Sequence, residues 1–371
     1  MLKVGINGFG RIGRLAFRIA LLKHADELSF GAINTTGSMP ASGWAHLTNY
    51  DTMYREFQYR VQSEELKTLD QITDEDPLMG NLLVSEKNVK VPVLAQKDPA
   101  KIPWSKYGVD VVIEATGHFT DEEGAKKHAV GGAKRVVISA PAKGGNVGTY
   151  VLGVNEMEGK EPQGMVISNA SCTTNCVAPV AAVLHSAFGI EKAMMTTVHS
   201  YTDDQNLQDS SHKDLRRARA AAENIIPTST GAAIATTETI PELKGLFDGM
   251  SLRVPTATGS VTDFTLILKK SVTKEEVNEA FKRAVENPLY KGILAVSEGN
   301  LVSSDIIGRS ESAIVDLPLT QVVAGNMVKV FAWYDNEWGY ANRLVEQVIR
   351  VGRSLESNSI PSDPITQSFK P

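Results

Sequence analysis

The stretch Leu2-Lys3-Val4-Gly5-Ile6-Asn7-Gly8-Phe9-Gly10-Arg11-Ile12-Gly13 decides the first half of the fold. Its first six residues have the apolar density of a buried strand. Gly8, Gly10 and Gly13 then follow at the Gly-x-Gly-x-x-Gly spacing that joins a strand to a helix around a dinucleotide. The first glycine permits a tight turn, the second lets a pyrophosphate approach, and the third lets the helix pack closely. The free amides and positive dipole end of that helix suit phosphate oxygens. Such a motif also describes a plain glycine-rich turn; its place between a strand and the helix-length stretch Arg11 to His24 favours the dinucleotide.

Further strand-length apolar runs lie at Ser29 to Asn34, Val91 to Ala95, Val109 to Ala115, Arg135 to Ser139 and Met165 to Ser168, with a helical stretch at Asp121 to Val130. That alternation predicts a parallel sheet covered by helices. After residue 170 the texture changes, and Lys192 to Tyr201, Leu252 to Lys269 and Met327 to Trp333 read as antiparallel strands covered by a helix over Val272 to Val285. The class expected is α/β: a Rossmann-type parallel-sheet nucleotide domain, residues 1–170 plus 336–371, and an α+β catalytic domain with a mostly antiparallel sheet, residues 171–335. The helical pattern after Asn336, with Leu344, Val345, Val348 and Ile349 on one side, packs back onto the first domain. The acidic stretch Gln62 to Val89 reads as an irregular surface excursion, and residues 355–371 as a loosely ordered tail.

With 42% hydrophobic and 22% charged residues the chain reads as globular. Its net charge of −5 gives no global reason to hold nucleic acid. There is no apolar run of about 18 residues for a membrane span. The first residues enter a strand directly, without a leader pattern, so the cytoplasm is the expected compartment. Two cysteines, Cys172 and Cys176, stand four apart on one helix, a poor geometry for a disulfide, and no further thiol completes a structural metal site.

Cys172 follows the run Met165 to Ser171 and opens a helix, where backbone amides and the dipole stabilise a thiolate. His199, at the end of a strand-like run, is a candidate base for it. Alone, a cysteine and a histidine are as well explained by packing, and Cys176 is read that way.

Several motifs surround the pair: Ser171-Cys172-Thr173-Thr174-Asn175-Cys176, His199-Ser200-Tyr201-Thr202, Asp214 to Ala221, Thr228-Ser229-Thr230-Gly231, Leu252-Arg253-Val254-Pro255-Thr256 and Trp333 to Tyr340. In that order, and with Ile6 to Arg14, they closely resemble the phosphorylating glyceraldehyde-3-phosphate dehydrogenase family over roughly residues 1 to 352. The resemblance implies oxidative phosphorylation of glyceraldehyde 3-phosphate to 1,3-bisphosphoglycerate by NAD or NADP, with Cys172 forming a thioester and His199 acting as base. It implies Thr202 and Arg253 for the substrate's phosphate, and Ser171, Thr173, Arg217, Thr230 and Gly231 for the attacking inorganic phosphate. Cofactor contacts are expected from Gly8, Gly10, Arg11, Ile12, Gly13, Thr35, Thr36, Lys97, Thr116, Ser139, Ser211, Asn336 and Tyr340. Asn336 would hold the carboxamide and Tyr340 would lie near the ring. The family further implies a homotetramer. The Arg-rich stretch Leu215 to Arg219 reads as a helix, with a solvated face or subunit contacts as its plain alternative; for Arg253 that alternative is a buried ion pair. Oxidation of erythrose 4-phosphate and a catalytically silent nucleotide-binding paralogue remain as competing functions.

A carboxylate for the ribose hydroxyls is expected about 20 residues beyond the glycines. Ile33-Asn34-Thr35-Thr36 has none. In NAD-restricted relatives an acid stands at the place of Thr35, and before His212 this chain has Ser210-Ser211, like the NADP-accepting photosynthetic members. Use of NADP is therefore expected, with Thr35, Thr36 and Ser38 offering hydroxyl donors, although no arginine is evidently placed for a 2'-phosphate. Alternatively, Thr35 simply ends a strand and the serines simply form a loop.

Overall fold

A computed structural model describes residues 1–156 and 162–357. Nine strands form the first sheet: β1 (Leu2–Asn7), β2 (Leu28–Thr35), β3 (Val61–Glu65), β4 (Leu78–Val84), β5 (Val89–Ala95), β6 (Val111–Glu114), β7 (Arg135–Ile138), β8 (Gly148–Thr149) and β9 (Val166–Ser168). Their order is β8-β9-β7-β6-β1-β2-β5-β4-β3. From β8 to β5 every pairing is parallel. Helix α1 (Arg11–Lys23) crosses from β1 to β2 with Leu15, Phe17 and Ile19 in the core beside Val4 and Ile6. Burying each of these large side chains contributes on the order of 1.5–3 kcal/mol.

The stretch 62–89 departs from the expected excursion. It supplies β3 and β4, which extend the sheet in antiparallel fashion, and Met79, Leu82 and Val84 are fully buried. Acids in and around them, Glu64 and Glu65 in β3, the exposed acids between β3 and β4, and exposed Glu86 just past β4, mask their strand character.

Helix α2 (Cys172–Phe188) leaves the first sheet and opens the second unit. There β10 (Ile190–Ser200), β11 (Ile226–Ser229), β12 (Phe247–Val254), β13 (Ser260–Leu268), β14 (Leu294–Ser297), β15 (Ala313–Asp316), β16 (Gln321–Val323) and β17 (Met327–Tyr334) form an eight-stranded sheet. Most pairings are antiparallel. The β10–β12 pair is parallel, against expectation, and so is β14–β15. The run 252–269 is two strands, broken between Val254 and Ser260 by a turn through Pro255. Helix α3 (Lys274–Glu286) buries Val277, Ala280 and Phe281 and is closed at its start by a Thr273–Glu276 capping box. Leu215 to Arg219 forms turns rather than the expected helix. Asp214 before it accepts from the Arg216 amide, and Asp209 accepts from the Arg219 guanidinium and the Ala220 amide, so these bonds replace a helix.

Helix α4 (Trp338–Ser357) returns to the first sheet, placing Leu344, Val345, Val348 and Ile349 in the same core as β1 and α1. The tail expected to be loosely ordered lies, from 358 onward, outside the described residues. No described helix is long and apolar enough to cross a membrane.

Candidate active site

Because β1, β6, β7 and β9 run parallel, the loops that follow them gather at one edge, bringing Gly8 to Gly13, Thr116, Ser139 and Cys172 to the same side of the sheet. Gly8 adopts φ +94, and a Cβ there would lie 2.7 Å from the backbone of Ala115 and Thr116. At Gly13 a Cβ would fall 2.1 Å from the carbonyl oxygen of Gly8. The protein's own atoms therefore require both glycines. They do not require Gly10, where a Cβ would meet nothing within 4 Å. Gly10 is the N-cap of α1 and makes no side-chain cap. An open approach to uncapped amides fits a dinucleotide's phosphates.

The other expected cofactor residues divide. Arg11 commits its guanidinium to Glu337 (2.5 and 2.6 Å) and Asp51 (3.0 and 3.3 Å), so only its backbone amide in the first turn of α1 remains for a ligand. Ile12 sits half-buried against the core. Thr35 is buried and bonded inward: its hydroxyl donates to the Leu94 carbonyl (3.1 Å) and accepts from the Gly37 amide (3.2 Å). It is therefore not the free donor anticipated, although Thr36 and Ser38 are exposed at the same strand end. Lys97 is exposed two residues past Ala95, the partner of Thr35 across β2 and β5. Ser211 lies exposed on the far loop.

Glu114 escapes sequence reading. It ends β6 fully buried, accepting from Asn7 (2.6 Å), from the Thr116 amide (2.8 Å) and from the Thr116 hydroxyl, with His128 Nε2 at 3.0 Å. His128 Nδ1 accepts from Trp104, so its Nε2 carries the proton toward Glu114. This carboxylate fixes the Thr116 loop, and the Ser139 amide donates to the Glu114 carbonyl (2.9 Å). In the sequence it shows only as one acid closing an apolar run.

The step from β9 into α2 passes through Ala170, a buried non-glycine residue at φ +56. Such a conformation stores on the order of 1–3 kcal/mol and is held by its surroundings. The Ala170 amide donates to Ser168 Oγ (3.0 Å), and Tyr340 Oη donates to the Ala170 carbonyl (3.0 Å). Ser171 caps α2 by accepting from the Thr174 amide at 3.0 Å. Cys172, half-buried, thus stands at the helix N-terminus, its Sγ 3.4 Å from His199 Nε2. Cys176 is buried and free.

His199 and Arg253 are partners across the parallel β10–β12 ladder. His199 Nδ1 is 2.7 Å from the Ser200 carbonyl, which assigns its proton to Nδ1 and turns the Nε2 lone pair toward the sulfur. Arg253 Nη1 lies 3.1 Å from that Nδ1 and donates to the Ser200 carbonyl (3.1 Å) and Thr202 Oγ1 (2.8 Å). Thr173 Oγ1 meets Tyr334 Oη at 2.9 Å, and the Tyr334 ring stands edge-on to His199. Tyr334 also reaches Thr197 (2.8 Å); a lone tyrosine at a strand end carries no signal of this in the sequence. Arg217 bonds Thr228 (3.1 Å) and Asp204, and Thr230 accepts from the amide of Ala232 (3.2 Å), next to Gly231 at the start of helix Ala232–Thr239. Asn336 Oδ1 accepts from the Gly259 amide (3.1 Å) and Ser260 (3.0 Å), which leaves its amide nitrogen as the group it can offer.

Burial pushes the Cys172 thiol up, against the pull of the Arg253 charge and of the hydroxyl and amide of Thr173. Burial, then the Arg253 charge, pushes His199 down to about 3. At neutral pH the resting pair is therefore a thiol beside a neutral imidazole.

A nucleotide-type parallel sheet with a cysteine at the edge that holds its glycine loop, met there by a neutral histidine from β10 of the second sheet, is the layout of an oxidoreductase with a cysteine nucleophile. Residues 2–122 match the family model for the glyceraldehyde 3-phosphate dehydrogenase NAD binding domain, and 171–336 the model for its C-terminal domain. The chain is 52% identical to a glyceraldehyde-3-phosphate dehydrogenase of Streptomyces coelicolor, over 95% of this chain and 99% of that one. It is 50% identical to glyceraldehyde-3-phosphate dehydrogenase 1 of Bacillus cereus, over 93% and 97%. With the chloroplastic glyceraldehyde-3-phosphate dehydrogenase B of Pisum sativum it shares 46% identity, over 100% of this chain and 77% of the relative. The chain belongs to the glyceraldehyde-3-phosphate dehydrogenase family.

Proposed function

We propose that this protein oxidises D-glyceraldehyde 3-phosphate to 1,3-bisphosphoglycerate through a thioester on Cys172, consuming inorganic phosphate. The observation that carries the reading is the 3.4 Å contact between Cys172 Sγ and His199 Nε2 with Arg253 beside them. His199 Nε2 takes the thiol proton as the sulfur bonds to the aldehyde carbon, and returns it to the oxygen to complete a hemithioacetal. It then takes the hydroxyl proton as hydride departs. When bound, the nicotinamide ring supplies the acceptor for that hydride. Thr202 and Arg253 hold the substrate's phosphate; Ser171, Thr173, Arg217, Thr230 and Gly231 receive the inorganic phosphate that attacks the thioester and frees the thiolate, which His199 reprotonates. Guanidinium forks, hydroxyls and amides suit tetrahedral dianions. Cys172→Ser should lose more than nine-tenths of turnover while still binding cofactor, measured by steady-state assay and by titration of cofactor fluorescence; retained turnover would sink the thioester route.

The same reading includes use of NADP beside NAD. A carboxylate at the end of β2 would repel a 2'-phosphate by on the order of 4 kcal/mol at about 4 Å. Thr35 supports NADP by lacking that charge, not by donating, and exposed Thr36, Ser38 and the Lys97 ammonium suit a phosphate at this strand end. Catalytic efficiency with both cofactors, in wild type and Thr35→Asp, tests this: the substitution should depress NADP use selectively. A wild-type preference for NAD above about a hundredfold, near 2.8 kcal/mol, would overturn it. A homotetramer, for which exposed Leu207, Leu215, Ile225 and Ile234 supply apolar surface, and a reducing compartment such as the cytoplasm, suited to two free thiols, complete the reading.

A further inference from the structure

Asn336 is bracketed by two acids that the first unit holds. Glu337 accepts from Arg11 in the first turn of α1, and Asp335 accepts from Tyr54 Oη at 2.7 Å. Tyr54 lies in the turn between the short paired strands Tyr50–Asp51 and Arg55–Glu56. Asp51 pairs with Arg11 at 3.0 Å and accepts from the Tyr54 amide at 3.1 Å, so one carboxylate ties that turn to α1. The Tyr54 ring rests on Trp338 with centroids 5.3 Å apart, and the Trp338 amide donates to Tyr54 Oη (3.2 Å).

Asp335 is a junction. It is 1% exposed and accepts, besides Tyr54, from the amides of Gly308 (2.7 Å), Glu337 (2.9 Å) and Trp338 (2.8 Å). Its donors thus come from the first unit, the second unit and the entry to α4. Water cannot readily replace a donor lost from so buried a carboxylate. Its neighbour Asn336 is fixed to the second unit by Gly259 and Ser260.

We propose that Tyr54 is a positioning residue whose hydroxyl, through Asp335, holds Asn336 in register with the glycine turn and α1, so that both ends of one dinucleotide meet groups already in place. The phosphates face the first unit, whereas the carboxamide faces a side chain anchored on the second. Fixing that separation before binding removes an ordering cost that the cofactor would otherwise bear. The proposal rests on the assignment of the phosphates to the glycine turn and of the carboxamide to Asn336 made above.

The test compares NAD with ADP-ribose, the same nucleotide without its nicotinamide, by calorimetry on protein freed of bound nucleotide. Tyr54→Phe keeps the ring on Trp338 and should stay folded, as thermal denaturation will show. It should weaken NAD on the order of three- to ten-fold, part of the worth of one hydrogen bond to a charged group, and leave ADP-ribose unchanged. The KM for NAD should rise with it. Asp335→Asn should separate the two ligands in the same direction. In an Asn336→Ala background, Tyr54→Phe should bring no further selective loss of NAD. If Asn336→Ala selectively weakens NAD but Tyr54→Phe weakens both ligands alike, or neither, the positioning role is overturned and the carboxamide assignment survives. If Asn336→Ala does not weaken NAD relative to ADP-ribose, the assignment itself falls, and the proposal with it.

Discussion

Arg253 places a single nitrogen against His199, Ser200 and Thr202, so the charge proposed to hold a phosphate also bears on the proposed base. After burial, that charge is the second cause holding His199 down to about 3. A base works when unprotonated, so raising its pKa moves the acid limb of activity to higher pH. Arg253→Leu should therefore move the acid limb of kcat/KM for unphosphorylated glyceraldehyde upward, even as it abolishes the advantage of the phosphorylated aldehyde. An unmoved limb in a folded variant would show that burial alone sets the histidine. By the same logic a substrate phosphate bound at Arg253, as proposed, would neutralise that charge and make His199 a stronger base as the thiol loses its proton. None of this was legible before the fold. His199 and Arg253 stand 54 positions apart in the chain, and only the parallel register of β10 with β12 makes them neighbours. That pairing is the one a reading of alternation alone assigns the wrong sense.

The turn between β1 and α1 separates glycines that the protein's own atoms require from one that they do not. Gly13→Ala drives a Cβ to 2.1 Å from the Gly8 carbonyl and should cost stability by at least the roughly 1–3 kcal/mol of an overpacked core. Gly10 has an ordinary φ of −70 and open space around its Cβ position, so Gly10→Ala should shift stability by less than roughly 0.5 kcal/mol. It should still raise the KM for the dinucleotide tenfold or more, because a methyl stands where phosphate oxygens approach. Thermal denaturation and cofactor titration on the two variants check the contrast; equal losses of cofactor affinity and stability in both would contradict it. Elements of this kind were readable because strand, glycines and helix are contiguous. Strands β3 and β4 were not, since β3 has a single apolar residue beside two acids, an acidic segment separates it from β4, and only the pairing of β4 to β5 and of β3 to β4 supplies the missing context. The loop from Asp203 to Asn224 was readable in composition but not in shape, because its ion pairs and backbone bonds replace the helix that its arginines suggest.

Across the whole molecule, Leu207, Leu215, Ile225 and Ile234 are each more than 60% exposed. Apolar surface on that scale is expected to be covered by other copies of the chain. Leu215→Asp should then lower the mass found by sedimentation equilibrium, and an unchanged mass would remove this loop from the interface. The return of α4 has a different consequence, one that concerns the order in which the chain is synthesised. Val345 and Val348 share a core with Val4 and Leu15, and Gly352 lies so close to Leu2 that a Cβ would approach its side chain to 2.4 Å. The strand made first is therefore sealed by a helix made more than 330 residues later. On a ribosome adding about 5–20 residues per second, β1 and α1 wait many seconds with that face uncovered while the whole second sheet emerges and folds between them.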